Sequence, residues 1–145
     1  MIGNVRSDRR RTRHRPPAVL IVEDDRILAE AIADAIEAVG YRTIRATDGW
    51  QALEALKHDE AAVLLVDPSL PGMSGSAFLR FVRNSPTLSR IPRVIMTGTN
   101  DPMIGVREDA PVFYKPLDIG SLVAIVQRYC DRARPQLPAF AEPHS

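Results

Sequence analysis

The stretch that decides the fold is Ala18-Val19-Leu20-Ile21-Val22-Glu23-Asp24-Asp25, in which five apolar residues run directly into three acids. Two other short apolar runs, residues 63–66 and 94–96, also end at a polar residue, Asp67 and Thr97 respectively. Short β-branched runs of this kind predict strands that are buried on both faces, as in a parallel sheet. Weaker strand candidates occupy residues 41–46 and 112–114.

Apolar residues between these runs recur at helical spacing, which predicts an amphipathic helix after each strand. The first predicted helix buries Leu28, Ile32, Ala35 and Val39 and stops at Gly40. The second buries Ala52, Leu53 and Leu56 after a cap at Asp48, and the third buries Phe78, Leu79 and Val82 after a cap at Ser74. The last helix buries Leu122, Ile125, Val126 and Tyr129. Residues 101–108 contain Pro102 and Gly105, so the fourth helix is expected to be short or irregular. Five β-α alternations predict an α/β fold, a doubly wound five-stranded parallel sheet.

The chain of 145 residues and 16.1 kDa has room for one domain. We expect that domain at residues 18–134, between a basic disordered arm (1–17) with six arginines and a proline-rich disordered tail (135–145). This length argues against a receptor, a multidomain enzyme or a regulator with its own DNA-binding domain.

Charge is distributed unevenly. The arm carries a net charge of +5 and the remainder a net charge of −4, so nucleic acid would bind through the arm if at all. Cys130 is the single cysteine, which is typical of a reducing compartment, and no apolar run is long enough for a membrane span. We therefore expect a cytoplasmic protein without a membrane partner.

Glu23 and Asp24 follow the first strand and Asp67 follows the third, and these strands are neighbours in a doubly wound sheet. Three carboxylates brought together raise one another's pKa unless a cation compensates them. Hard oxygen ligands suit Mg²⁺, so we interpret the three acids as a metal site rather than as solvated loop residues. Asp25 is expected instead to open the following helix.

Lys115 follows the last predicted strand and precedes Pro116, and it is one of only two lysines beside seventeen arginines. A lysine beside a carboxylate cluster neutralises it and binds a phosphoryl group as a point charge. Thr97 ends the fourth strand, and its hydroxyl can donate to an anion. Taken alone, Thr97 and Gly98 are weak evidence, because Thr-Gly after a strand usually forms a simple turn.

With these residues placed, the chain resembles a response-regulator receiver domain of two-component signalling, with a stand-alone, CheY-like, flavodoxin-like (βα)5 architecture. The resemblance covers residues 18–133. It rests on six stretches: VLIVEDD (19–25), ATDGWQAL (46–53), LLVDPSLPGMSG (64–75), FLRFVRN (78–84), RIPRVIMTGT (90–99) and FYKPL (113–117).

The resemblance implies the site's chemistry. Asp67 would be the phosphoacceptor, taking the group from a phosphohistidine of a histidine kinase or phosphotransfer protein. Mg²⁺ would bind Asp24, Asp67 and the backbone carbonyl of Ser69, with Glu23 acting through water. Lys115 and the Thr97 hydroxyl would contact the phosphoryl oxygens afterwards.

Two departures from the family pattern affect the output. Val112 stands where the family often has an aromatic residue, and Thr97 and Lys115 are only 18 residues apart. A third departure, Pro68 directly after Asp67, fits the extended geometry of a strand end.

We therefore expect a single-domain phosphoacceptor switch, not an enzyme with a separate substrate, that signals to an unknown downstream protein. The resemblance leaves homodimerisation open. The alternatives are a degenerate receiver used as an unphosphorylated interaction module, a Mg²⁺-dependent phosphatase with Asp67 as nucleophile, and DNA binding by the arm.

Overall fold

Five strands alternate with five helices in the computed structural model, which describes residues 16–99 and 103–133. The elements in chain order are β1 Ala18–Val22, α1 Arg26–Ala38, β2 Arg42–Ala46, α2 Gly49–His58, β3 Ala61–Val66, α3 Gly75–Arg83, a 3-10 turn Leu88–Arg90, β4 Arg93–Thr97, α4 Ile104–Glu108, β5 Val112–Tyr114 and α5 Ile119–Ala133. The predicted tail and all but the last two residues of the predicted arm lie outside the described residues. None of the helices in the described ranges has the length and apolarity needed to cross a bilayer.

The strands form one parallel sheet in the order β2-β1-β3-β4-β5. This order confirms the doubly wound topology predicted from the sequence. Val22, the last residue of β1, pairs with Val66, the last residue of β3. The next residues, Glu23 and Asp67, therefore leave the two strands at the same level.

Side chains alternate between two apolar cores, one on each face of the sheet. Val19 and Ile21 of β1 point into the core covered by α1 and α5. Leu20 and Val22 point into the opposite core, which contains Phe78 of α3. Because both faces are buried, the strands consist almost entirely of apolar residues.

Helix starts follow the predicted side-chain caps. Asp25 accepts hydrogen bonds from the backbone N–H groups of Ile27 and Leu28 at 3.0 and 3.1 Å and so opens α1, as predicted. The predicted caps Asp48 and Ser74 open α2 and α3 in the same way. The three caps fix the directions of the loops that surround the carboxyl end of the sheet.

The predicted inward face of α1 is wrong in part. The buried residues are Ala29, Ile32, Ala33 and Ile36. Val39 follows the end of the helix and is exposed. The helix lies on the sheet through its alanines, whose small side chains allow close approach, and this rotates the predicted stripe away from the core. Three strand boundaries also differ, because β2 begins at Arg42, β3 at Ala61 and β4 at Arg93.

The fourth helix is short, as predicted, with only five residues. Its last residue, Glu108, forms an ion pair with Arg83 of α3, and Asp109 adopts a positive φ of 48° immediately afterwards. The left-handed residue ends the helix, and the ion pair ties that end to α3.

Candidate functional site

The strand ends place the candidate residues by continuing the backbone ladder one step beyond the sheet. The N–H of Asp67 donates to the carbonyl of Val22 at 3.0 Å, and the N–H of Glu23 donates to the carbonyl of Ala46 at 3.0 Å. Both side chains are thereby fixed at the carboxyl edge of the sheet, where ligands bind in open α/β folds.

The three acids predicted to converge lie together in the structure. One carboxylate oxygen from each of Glu23, Asp24 and Asp67 lies within 4.8 Å of the others. Glu23 and Asp67 are buried, whereas Asp24 is exposed. The cluster therefore has a buried wall and one ligand that faces solvent.

Lys115 joins the two buried acids. Its Nζ lies 2.6 Å from Asp67 Oδ2 and 2.6 Å from Glu23 Oε1. Its backbone N–H donates to the carbonyl of Thr97 at 2.8 Å, which fixes the residue just beyond β5, and the peptide bond to Pro116 is cis. The lysine predicted to face the acids is thus in direct contact with two of them.

Backbone donors hold the outer oxygens of the same carboxylates. The N–H of Ser69 donates to Asp67 Oδ1 at 2.8 Å, and the N–H of Asp25 donates to Glu23 Oε2 at 3.1 Å. Each buried carboxylate thus has one oxygen on a backbone N–H and the other on the ammonium group. Both side chains are fixed in orientation before any ligand arrives.

Burial and charge shift the pKa values in this site. Burial raises the pKa of Glu23 above its ordinary value, against the opposing effect of the hydrogen bond from Lys115. Burial by itself would lower the pKa of Lys115, but its hydrogen bonds to Asp67 and Glu23 outweigh that effect and raise the pKa. The lysine is therefore firmly cationic in this state.

Thr97 ends β4, as predicted, and its side chain is fully buried. Its hydroxyl lies 2.9 Å from the hydroxyl of Thr99 and accepts a hydrogen bond from the Thr99 N–H at 3.1 Å. Thr99 was not predicted from the sequence. The only signal for it is a second hydroxyl two residues after Thr97, which is common in turns.

The loop after Asp67 is packed closely against the start of α3. A Cβ atom at Gly75 would lie 1.8 Å from the carbonyl oxygen of Asp67, so only glycine fits there. The N–H of Ser76 also donates to the carbonyl of Pro68 at 3.2 Å. The helix start thus supports the backbone of the candidate phosphoacceptor.

The donor set suits a hard divalent cation. When ionised, the three carboxylates carry three negative charges against the single positive charge of Lys115. The residual charge of two matches Mg²⁺, which prefers oxygen ligands. Chemically, the site combines a fixed, buried carboxylate, the ammonium group of Lys115 and further anionic oxygens.

Comparison with known sequences places the chain in a signalling family. The profile of the response regulator receiver domain matches residues 19–127. The polar-differentiation response regulator DivK of Brucella anthropi is 34% identical over 82 residues, which are 57% of this chain and 67% of that protein. The transcriptional regulatory protein CseB of Streptomyces coelicolor is 32% identical over 110 residues, 75% of this chain but only 47% of its own length.

Solved structures agree with the sequence relatives. A response regulator structure from Chloroflexus aurantiacus superposes with a TM-score of 0.73 at 29% identity and covers 81% of this chain and 100% of that one. The chemotaxis response regulator CheY4 of Vibrio cholerae gives a TM-score of 0.70 at 25% identity, with coverage of 78% and 98%. With a matched profile over most of its length and the family's sheet order, this chain belongs to the response regulator receiver domains of two-component signalling.

Proposed function

We propose that Asp67 accepts a phosphoryl group from a histidine kinase or phosphotransfer protein, and that the phosphorylated chain signals by contact with a downstream protein. One observation supports the proposal more strongly than the others. The buried Asp67 carboxylate sits at the sheet edge, 2.6 Å from Lys115 and within 4.8 Å of the other two acids. An acid held in this way is positioned for reaction rather than for solvation.

The transfer is a displacement at phosphorus. An oxygen of the Asp67 carboxylate forms a bond to phosphorus while the phosphorus–nitrogen bond of the donor phosphohistidine breaks. The electron pair of that bond returns to the imidazole nitrogen, and the product is an acyl phosphate on Asp67.

Lys115 and Thr97 are the residues that would bind the transferred group. The ammonium group already touches Asp67 Oδ2, so it lies beside the oxygens that phosphorylation adds. Thr97 is the last residue of β4, and its hydroxyl is bound to Thr99 in the present state. Reaching a phosphoryl oxygen would require it to exchange that partner, which is a two-state event suited to a switch.

Asp24, Asp67 and the carbonyl of Ser69 are the groups that would hold Mg²⁺, with Glu23 behind them. Bound there, the metal supplies positive charge that shields the attacking carboxylate from the incoming phosphoryl oxygens. Support comes from the donor set itself, because the acids exceed the available cationic charge by two.

Intact-protein mass spectrometry after incubation with acetyl phosphate and Mg²⁺ tests the proposal. We expect the mass to increase by one phosphoryl group, with no increase in EDTA or in Asp67→Asn. Asp34→Asn, which removes an exposed acid of α1, is the matched control and should be phosphorylated normally. Equal labelling of the wild type and Asp67→Asn would refute Asp67 as the acceptor.

A second candidate is a receiver that binds its partner without phosphorylation. It is favoured by the five-residue α4 and by the half-buried Val112 at the position that often holds an aromatic residue. A partner that binds Asp67→Asn and the phosphorylated wild type with the same affinity would support this candidate.

A phosphatase of small phosphate esters is disfavoured by the residue two positions after Asp67. That residue is Ser69, whose N–H is bound to Asp67 Oδ1, and a hydroxyl is a poor general acid at neutral pH. Hydrolysis of p-nitrophenyl phosphate by the wild type, but not by Asp67→Asn, would reverse this assessment.

A further inference from the structure

An apolar groove lies on the surface between α2 and α3. It has a volume of about 410 Å³, and we call it the α2–α3 groove. Its apolar walls are Trp50, Leu53, Leu56, Phe81 and Leu88. Trp50 and Phe81 are 64% and 53% exposed, so two aromatic side chains face water beside each other. Adjacent exposed aromatic residues mark an interaction surface.

A second cavity, of about 350 Å³, continues the α2–α3 groove, because Leu56 and Leu88 line both. We call it the lower cavity. It reaches Ala133, the last residue of α5, and it also carries the acids Asp59 and Glu60. A segment that followed both cavities from the end of α5 would meet the lower cavity first and the α2–α3 groove next.

The sequence that continues from Ala133 is RPQLPAFAEPHS, residues 134–145. It contains two large apolar side chains, Leu137 and Phe140, four and seven residues beyond Ala133. At 3.3–3.6 Å per residue these positions can lie up to about 14 Å and about 25 Å away from Ala133. Both cavities are thus within reach of the segment.

The charge and composition of residues 134–145 also favour binding along the two cavities. Arg134 follows Ala133, and the lower cavity that Ala133 lines also contains the acid Glu60, whereas its other acid, Asp59, is paired with Arg42. Three prolines in the segment restrict its free conformations, which lowers the entropy lost when it binds in an extended form.

The basic arm is a poorer occupant of these cavities. Pro17 also lines the lower cavity, but the fifteen residues before Pro16 contain six arginines. Their large apolar residues, Met1, Ile2 and Val5, are at least twelve positions away from Pro17. The arm therefore has no large apolar side chain near Pro17 that could fill the α2–α3 groove.

We propose that residues 134–145 dock along the lower cavity and the α2–α3 groove, with Leu137 and Phe140 as anchors and Phe140 against Trp50. The α2–α3 groove is then an intramolecular binding site for the carboxyl-terminal segment. This inference does not depend on the phosphorylation proposed for Asp67.

Trp50 is the only tryptophan of the chain, so its fluorescence reports on the α2–α3 groove alone. The test compares acrylamide quenching and emission maximum for the full-length protein and the double variant Leu137→Ser/Phe140→Ser. Ala139→Ser/Ala141→Ser changes two small residues in the same segment and is the matched control. Far-UV circular dichroism verifies that all three proteins are folded.

We expect the wild type and the control to show protected, blue-shifted Trp50 emission, and the double variant to lose both the protection and the blue shift at every protein concentration. Equal quenching of the wild type and the double variant would overturn the proposal. Protection that appears only at high protein concentration would also overturn it and would assign the groove to a second copy of the chain.

Discussion

Lys115 is the residue on which the electrostatics of the site depend. Its ammonium group is the shared partner of two buried carboxylates, each 2.6 Å away. Without it, Glu23 and Asp67 would face each other uncompensated in a poorly solvated site. Hydrogen bonds to charged groups have large energies because an unpaired buried charge is strongly unfavourable.

We predict that Lys115→Met lowers the free energy of unfolding by about 1.5–3 kcal/mol in EDTA. Urea unfolding followed by circular dichroism measures the change. Lys57 is the only other lysine, and its Nζ is exposed and 3.4 Å from Glu54. Lys57→Met is the matched control and should change stability by less than about 0.5 kcal/mol. Similar midpoints for the two variants would contradict the prediction.

For single residues, the sequence predicted which side chains occupy the site and the helix caps better than it predicted which groups those side chains contact. The caps Asp25, Asp48 and Ser74 were predicted because a short polar side chain before an apolar helical pattern has few other roles. Thr99 was not predicted, because its role depends on how the turn after β4 folds back on Thr97. A turn conformation of this kind is not encoded in residue type alone.

Among the elements, α3 is constrained most tightly at its first residue. Gly75 lies so close to the strand end that an added Cβ would overlap the Asp67 carbonyl oxygen and approach the Pro68 Cα at 2.7 Å. Both obstacles are backbone atoms, so the helix itself must move to relieve the overlap.

We predict that Gly75→Ala destabilises the protein by about 1–3 kcal/mol or more, as overpacking does elsewhere. It should also slow the phosphorylation of Asp67, because the shift displaces the acceptor's backbone. Gly120→Ala is the matched control near the start of α5, where the added Cβ meets only Asp118 Oδ1 at 3.5 Å. The urea midpoints of both variants are compared with that of the wild type. A midpoint of Gly75→Ala equal to that of the wild type would contradict the prediction.

The start of α5 depends on Asp118. Its side chain accepts a hydrogen bond from the Ser121 N–H at 3.2 Å, and this bond lowers the pKa of the carboxyl group. A carboxyl group with a lowered pKa in the folded protein stabilises it at neutral pH. That stabilisation is lost as the pH falls through the folded-state pKa.

We therefore predict that Asp118→Ala melts at a lower temperature than the wild type at pH 7, and that the difference shrinks in acid. Glu30→Ala, at an exposed position within α1, is the control and should not show the same pH-dependent difference. Thermal melts across a pH series measure both. A constant difference at all pH values would argue against the capping interaction.

The helical faces also show what periodicity alone leaves undetermined. For α1, the stripe through Leu28 and Val39 and the stripe through Ala29 and Ile36 share Ile32, so both fit the helical period. Packing of α1 against β2 and β1 selects the second. For α4, by contrast, Pro102 and Gly105 were sufficient to predict a short helix.

For the whole molecule, ion binding and folding are linked through the three acids. Folded protein presents Glu23, Asp24 and Asp67 within 4.8 Å, whereas an unfolded chain does not. A ligand that binds only the folded state raises stability by RT ln(1 + [L]/Kd), about 2.7 kcal/mol at one hundred times Kd.

We predict that the urea midpoint rises with Mg²⁺ concentration in the wild type and in Asp34→Asn, and that it rises little in Asp24→Asn. Asp24 suits this test because it is the exposed acid of the three, so its replacement leaves the buried pair with Lys115 intact. An identical response of Asp24→Asn and Asp34→Asn to Mg²⁺ would exclude Asp24 as a ligand.

The topology of the whole sheet was predicted from alternation alone. Runs that are apolar on both faces require helices on both sides, and right-handed crossovers then leave few strand orders. The α2–α3 groove was not predicted, because Trp50 and Phe81 lie at helical positions that composition cannot distinguish from core. Whether such a side chain is buried depends on how far the neighbouring helix covers it.

The strand order also determines when during folding the site forms. Ala18 pairs with Ala61 across a long segment of chain, and Lys115 reaches back 48 residues to Asp67. Closing a loop of about 43 residues costs on the order of 3 kcal/mol beyond a constant, so these contacts form after the local helices. A nascent chain that stops short of Lys115 holds both acids without their cation. An incompletely synthesised copy therefore carries no assembled site, and none can form before the whole sheet has folded.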